Sequence, residues 1–353
     1  MELAWYLFLF LLTLGFIVRP NLLNNQIIFF LFLFVVATLT SVIIRLSDVD
    51  SILSTYSYTN DITHYSSVMA RADLFDGTIM DKLIYIREPF IYLALIGSFA
   101  LTQDKILAFI FIDIIGFIFL FRGIFLVLNY YIKSSARFNF LFFAIFLFFP
   151  FAFGMHITLR QYFATIFIIC SIGYALNGFT KKSILFLLIS ILSHNSAGLL
   201  GPLILYLNNK KILKLGAYIG SALIPFAMYY IGIIGDKLNM QQLNTLEVGG
   251  SIDVIYALIF LIILILFFLT TYLKPGKNDK LIILISLYSF YIAIFANIFF
   301  SSSNTERMCM MLMAVLYPFI FILADEKFRQ KIATRLCLFI ISILPTAFIY
   351  TVI

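Results

Sequence analysis

Charge is scarce in this sequence: Asp, Glu, Lys and Arg together make up 12% of 353 residues, while 63% are hydrophobic. A water-soluble fold has no way to bury that much apolar surface, so an ordinary soluble domain is excluded. Histidine is almost as scarce, with three residues, none at a metal-ligand spacing from a partner, and no zinc site is expected. The three cysteines, Cys170, Cys309 and Cys337, stand singly in or beside apolar runs, which fits core filler rather than a disulfide framework. There is no G-x-x-x-x-G-K-[ST] loop, no G-x-S-x-G elbow and no H-E-x-x-H, which argues against an ATPase, a serine hydrolase and a zinc peptidase. Internal repeats and low-complexity linkers are also missing.

What is present is a succession of apolar runs of about 20 residues, the length that spans a bilayer. They fall near 3–18, 27–44, 106–128, 138–153, 158–176, 215–234, 254–273, 281–300, 308–323 and 336–352. The first lacks a basic n-region and a small-residue cleavage pattern and reads as a retained span. The expected fold is all-α: one polytopic membrane domain over 1–353, with about 12 transmembrane helices, re-entrant or half-spanning segments, and a polar outer loop carrying an amphipathic helix. Ser183–Ser193 and Ser196–Leu207 are each too short to cross alone, and lysines flank both. They form either a hairpin dipping from the cytoplasm or one long span, and the lysines favour the hairpin. Pro89–Leu101 reads as a half-span.

The net charge of +7 comes from clusters at the ends of runs, so it reports membrane topology rather than nucleic-acid binding. Lys133 with Arg137, Lys181 with Lys182, Lys210, Lys211 and Lys214, Lys274, Lys277 and Lys280, and Lys327 to Arg335 mark cytoplasmic joints. Arg160, Lys237 and Arg307 then face the other side. On that side lies the acidic stretch 45–88, with Asp48, Asp50, Asp61, Asp73, Asp76, Asp81 and Glu88 against four basic residues. Within it Asn60–Leu74 reads as a helix capped by Asn60, with Asp61, His64, Tyr65 and Val68 on one face. Glu88-Pro89 opens the next helix, with proline in its first turn.

Four groups at span ends have chemical potential: Asp61 with Tyr65, Glu88, Arg160 with Gln161, and His194 with Asn195 and Ser196. Arg307 is a fifth. Ionisable groups near membrane depth mark substrate paths, although each also fits an interfacial anchor. Arg160 offers a permanently charged planar fork suited to phosphate or carboxylate, the plainer alternative being a structural ion pair. His194 equally fits a helix-junction histidine, and His64 and His156 are weaker candidates. Asp48-Val49-Asp50 is formally a D-x-D, but it lacks the α/β domain that normally holds one. Asp113, inside an apolar run, is expected to pair with a bundle cation such as Arg122 or to accept from a tyrosine.

The order D-x-x-x-Y (Asp61 to Tyr65), E-P-F (Glu88 to Phe90), L-R-Q-Y-F-A (Leu159 to Ala164), a lysine pair and S-H-N-S-A (Ser193 to Ala197) resembles the EpsG-type branch of the Wzy polymerases. These join lipid-linked repeat units of bacterial O-antigen, capsule or exopolysaccharide. The resemblance is firm over 45–207; beyond it the likeness is in hydropathy and in Arg307. It implies transfer of a growing glycan from undecaprenyl pyrophosphate to a sugar hydroxyl of the next lipid-linked unit. The site would lie on the periplasmic or outer face of the inner membrane, with 154–207 as the active-site region. Asp61, Glu88 and His194 are then candidate bases, Arg160 and Arg307 candidate pyrophosphate cations, and Gln161, Tyr65 and Ser196 orienting groups. No cofactor is needed, because the leaving group is already activated. Partners would be the undecaprenyl-pyrophosphate-linked oligosaccharide, membrane lipid, and a chain-length regulator and flippase of the same pathway, with no nucleic acid.

Two alternatives remain: a transferase using a polyprenyl-phosphate sugar donor, with Asp48, Asp50 and Asp61 as its acidic loop, and, from another class, a lipid-linked oligosaccharide flippase or other transporter. Charges gathered at one face beside an acidic loop favour catalysis over transport. The topology has a direct check. Cysteines introduced at Ser57 and Ser301, with the native cysteines replaced, should react with a membrane-impermeant thiol reagent in cells whose outer envelope alone is permeabilised. Protection of both until the inner membrane is broken overturns it.

Overall fold

The computed structural model describes residues 2–23, 25–53, 61–70, 89–131, 138–156, 158–239, 272, 279–300, 302–327 and 332–350. Most of these residues are helical, and none of them is in a strand. The helices are α1 (Glu2–Val18), α2 (Gln26–Ser47), α3 (Val49–Leu53), α4 (Asp61–Ala70), α5 (Pro89–Thr102), α6 (Lys105–Tyr131), α7 (Leu141–Ala144), α8 (Phe149–His156), α9 (Leu159–Leu176), α10 (Thr180–Ser193), α11 (Gly201–Leu207), α12 (Lys211–Asn239), α13 (Asp279–Phe299), α14 (Ser302–Lys327) and α15 (Ile332–Tyr350). Among the described residues five helices are long and apolar enough to cross a membrane: Gln26–Ser47, Lys105–Tyr131, Leu159–Leu176, Lys211–Tyr230 and Lys280–Phe299. Shorter apolar helices accompany them at Glu2–Val18, Pro89–Thr102 and Arg307–Ile322. The run expected near 254–273 lies outside the described residues apart from Tyr272.

The centre of the bundle is α9, most of whose side chains are buried. It runs parallel to α6 at very short range. A β-carbon at Gly123 would lie 2.9 Å from the Cys170 amide nitrogen, and one at Gly173 would lie 2.8 Å from Leu126 Cβ, so small residues let the two backbones meet. On its other side α9 packs antiparallel to α10, where Ser190 Oγ donates to the Ala164 carbonyl at 2.7 Å and Ser171 Oγ to the Ser183 carbonyl at 2.7 Å. The α1–α2 hairpin flanks α6; Asn25 caps α2, its Oδ1 accepting from the Ile27 amide at 2.9 Å.

One expectation changes here and another is borne out. The run 138–153 is not a straight span: it forms the single turn of α7, a series of tight turns through Phe148, and α8. Pro150 offers no N–H to continue a ladder, and residues 138–148 are all buried. Irregular backbone at membrane depth is tolerated where protein rather than lipid surrounds it. The stretch 183–207 takes the hairpin form. α10 ends where His194 is extended (φ −159, ψ 120), a 3-10 turn follows at Asn195–Leu200, and α11 returns until Asn208 Nδ2 donates to Ser183 Oγ at 3.1 Å. Lys181 and Lys210 therefore sit at the same end.

Asp113 does not pair with Arg122. It receives Arg45 instead, through Nε at 2.7 Å and a terminal nitrogen at 2.9 Å, and Ser41 Oγ at 2.8 Å. Both charged side chains are 0% exposed. Arg45 also stacks over Phe109, 5.1 Å from the ring centroid. The geometry is bidentate and three donors satisfy one carboxylate, which is what makes a buried pair tolerable. Arg45→Met, which leaves Asp113 buried without its cation, should lower unfolding free energy by about 3–5 kcal/mol, whereas Arg45→Met with Asp113→Leu should regain most of the loss. SDS titration in mixed micelles measures both, and a single variant as stable as the parent removes the pair from this role.

Candidate active site

The N-terminal end of α9 gathers the polar groups. Arg160 is half-buried and lies over the ring of Tyr65 in α4, its guanidinium carbon 6.0 Å from the centroid. Tyr65 is fully buried and packs edge-on to Tyr92 of α5 at 5.1 Å, while His64 Nε2 and the Tyr92 hydroxyl are 2.9 Å apart. Next to Arg160, Gln161 Nε2 donates to the backbone carbonyl of Arg307, which ties the start of α14 to the start of α9. Arg307 itself is exposed. Three of the candidate groups, Tyr65, Arg160–Gln161 and Arg307, thus meet at one place.

His194 reaches the same level from α10. Ser190, bonded to Ala164, is four residues before His194, and Arg160 is four residues before Ala164 on the antiparallel partner, so both lie one turn beyond that bond. His194 and Ser196 are half-buried. Asp61 is the first residue of α4, one turn from Tyr65, so the expected helix is present over 61–70; Asn60, residues 71–74 and the side chains of Asp61 and Val68 lie outside the described residues. Glu88 lies outside them as well, immediately before Pro89, the first residue of α5.

At this end of α9 several hydrogen-bonding groups have capacity to spare. Among the described residues Thr158 Oγ1, Gln161 Oε1 and the Tyr162 hydroxyl are buried without a hydrogen-bond partner. Thr158 precedes the helix without capping it through its side chain. Uncapped first-turn amides and the positive end of the helix dipole favour an anion here, and Arg160 adds a full charge. No group of three or more His, Cys, Asp and Glu side chains suited to a metal occurs among the described residues.

A family model for the EpsG family matches residues 104–353. The chain belongs to the EpsG family. No curated protein and no solved structure matches it. The match includes L-R-Q-Y-F-A, S-H-N-S-A and Arg307, and it extends through the later half, where the sequence likeness had rested on hydropathy and one arginine. It begins after Asp61–Tyr65 and Glu88–Phe90; of these, Tyr65 is brought against Arg160 in the structure. Membership makes this a membrane-embedded protein of polysaccharide-polymerase type.

Two parts of this region escaped sequence reasoning. Tyr92 stands four residues after Glu88, one helical turn on, a spacing that could have drawn attention to it. His156 is held between Asp48, with Nδ1 3.1 and 3.2 Å from its two oxygens, and Glu2, with Nε2 3.2 Å from Oε1. Partners 108 and 154 positions away leave no local signal. The Gln161 contact yields a prediction. Gln161→Leu keeps the side-chain volume near that of glutamine but removes the bond to the Arg307 carbonyl, which keeps its place in the α14 ladder, and should cost about 0.5–1.5 kcal/mol of stability together with polymer output. Unchanged unfolding and unchanged output would show that the α9–α14 junction does not depend on this bond.

Proposed function

We propose that this EpsG-family chain is a repeat-unit polymerase that transfers a growing glycan from undecaprenyl pyrophosphate to a sugar hydroxyl of the next lipid-linked unit. The observation that carries this reading is the convergence of Arg160, Tyr65, Gln161 and Arg307 at the N-terminal end of α9, level with His194. In the step, the bond between the anomeric carbon and the pyrophosphate oxygen breaks and a bond to the acceptor oxygen forms. The hydroxyl proton passes to a base, and undecaprenyl pyrophosphate leaves with the electron pair. Arg160 clamps the pyrophosphate bidentately, assisted by the helix N-terminus and by Arg307. Gln161, Tyr65 and Ser196 orient oxygens. Asp61 is assigned the base, because it stands one turn from Tyr65; Glu88 and His194 are the other residues of suitable chemistry. The reaction takes place at the periplasmic or outer face of the inner membrane, as the lysine clusters on the alternate joints imply.

The test is polymer length and amount made by membranes from cells carrying each variant at matched expression. Arg160→Lys keeps the charge and loses the fork, and should lower polymerisation by about 10-fold or more; Arg160→Ala should lower it further. Asp61→Asn should cost on the order of 10²-fold if Asp61 is the base, and Glu88→Gln and His194→Gln less. Normal polymer from Arg160→Ala removes the clamp, and full activity of Asp61→Asn with none from His194→Gln moves the base to the histidine.

A further inference from the structure

The second polar cluster lies outside the machinery just assigned but is joined to it through the backbone. His156 is the last residue of α8 and stands three residues before Leu159, where α9 begins. Its ring is held from two sides, Nδ1 against Asp48 at the end of α2 and Nε2 against Glu2 at the start of α1, with the Tyr6 hydroxyl 3.4 Å from Nε2. A neutral imidazole carries one N–H and would turn a lone pair toward one of the two carboxylates, so this arrangement is that of an imidazolium. Asp48 is in turn 3.5 Å from Arg45, which is locked onto Asp113. The chain Glu2, His156, Asp48, Arg45, Asp113 therefore ties α1, α2 and α6 to the residue that leads into the site helix.

We infer that His156 is a positioning residue for the polymerase reaction, whose clamp between Glu2 and Asp48 fixes the N-terminal end of α9 and so places Arg160 against the pyrophosphate. This inference rests on the polymerase reading. A displacement of about 1 Å at a charge-stabilising group is enough to cost a large part of the rate. Within this chain the imidazolium is the link with an ordinary value closest to neutrality. Burial alone would lower it, but the hydrogen bonds to Asp48 and Glu2 outweigh burial and raise it from 6.5 to about 9. The stabilisation it provides is complete below pH 6.5 and is lost as pH rises through about 9. Among the described side chains, the helices packed against α8 carry the guanidiniums of Arg160, Arg307 and Arg335 and the titratable groups Tyr162, Tyr174, Tyr317, Cys170, Cys309 and Cys337.

The experiment follows two readouts from pH 6 to 10 on the full-length protein in lipid nanodiscs: the rate of polymerisation of the lipid-linked unit and the midpoint of thermal unfolding. For the unmodified protein both should fall through pH 9, the rate by about 10-fold. His156→Arg, a fixed cation, should hold both level across that range. His156→Gln should give at pH 7 the low rate that the unmodified protein reaches only in alkali. Glu2→Gln, which leaves the histidine in place, should move the alkaline fall about one pH unit toward neutrality, and it carries the test if His156→Arg does not fold. The inference is overturned if His156→Gln polymerises at the unmodified rate at pH 7, or if Glu2→Gln leaves the alkaline fall where it was. A failure of the polymerase reading looks different: no polymer from the unmodified protein at any pH, with the unfolding midpoints of the unmodified protein and Glu2→Gln still reporting whether the clamp exists.

Discussion

The pairing of Arg45 with Asp113 is the interaction on which the rest of this structure depends. Two charges with no exposed surface, set in helices that cross a membrane, are tolerable only when each satisfies the other, and here the fork and the carboxylate match atom for atom. The pair fixes the register of α2 on α6. Because α6 lies parallel to α9 through the glycine contacts at Gly123 and Gly173, that register is passed to the helix carrying Arg160. Asp48, one turn beyond Arg45, then reaches His156 from the same end of the bundle. A shift of α2 by one residue would turn Arg45 away from Asp113 by about 100° and break the whole series.

The polar groups with chemical capacity are found where helices stop. Arg160 and Gln161 begin α9 after the break at Thr158, His194 and Ser196 occupy the break between α10 and α11, and Tyr65 lies on a 10-residue helix flanked by α5. In a bilayer a helix end is a place of unsatisfied amides and carbonyls, so it needs either water or protein around it. The turns from Phe138 to Phe148 are enclosed by protein on all sides, whereas the breaks at His194 and Thr158 share one level of the bundle. Grouping the breaks at one level brings their polar ends together.

Much of this was legible in the sequence, for reasons that are local. Apolar run length gave the helices, and lysines on both sides of 183–207 gave the hairpin that the Asn208–Ser183 bond closes. Four short motifs pointed to the family, and three of the residues they named meet in space. The errors arose where the partner is distant along the chain. Asp113 does pair with a bundle cation as expected, but the example offered was Arg122 in the same run, and the side chain that answers it is 68 positions away. Residues 138–153 have the composition of a span, and composition carries no information about whether lipid or protein will surround a segment. His156 looked weak because its significance comes from Glu2 and Asp48 together, and neither is near it in sequence.

The place of Asp48 also bears on the reading in which a D-x-D serves a polyprenyl-phosphate sugar donor. Both carboxylate oxygens of Asp48 lie within 3.2 Å of His156 Nδ1, and one also contacts Arg45. A divalent cation would have to displace an imidazolium and approach a guanidinium to bind there, at a cost in like-charge repulsion. Asp50 is the second residue of the short helix α3, and Asp48 caps the preceding helix. The acid that the motif would need is already committed to holding the helices together. The cations differ in exposure: Arg45 is sealed from solvent by its own carboxylate, while Arg160 is half-buried and Arg307 is exposed. With Asp48 engaged by His156 and Arg45, the motif lends no support to a metal-bridged donor.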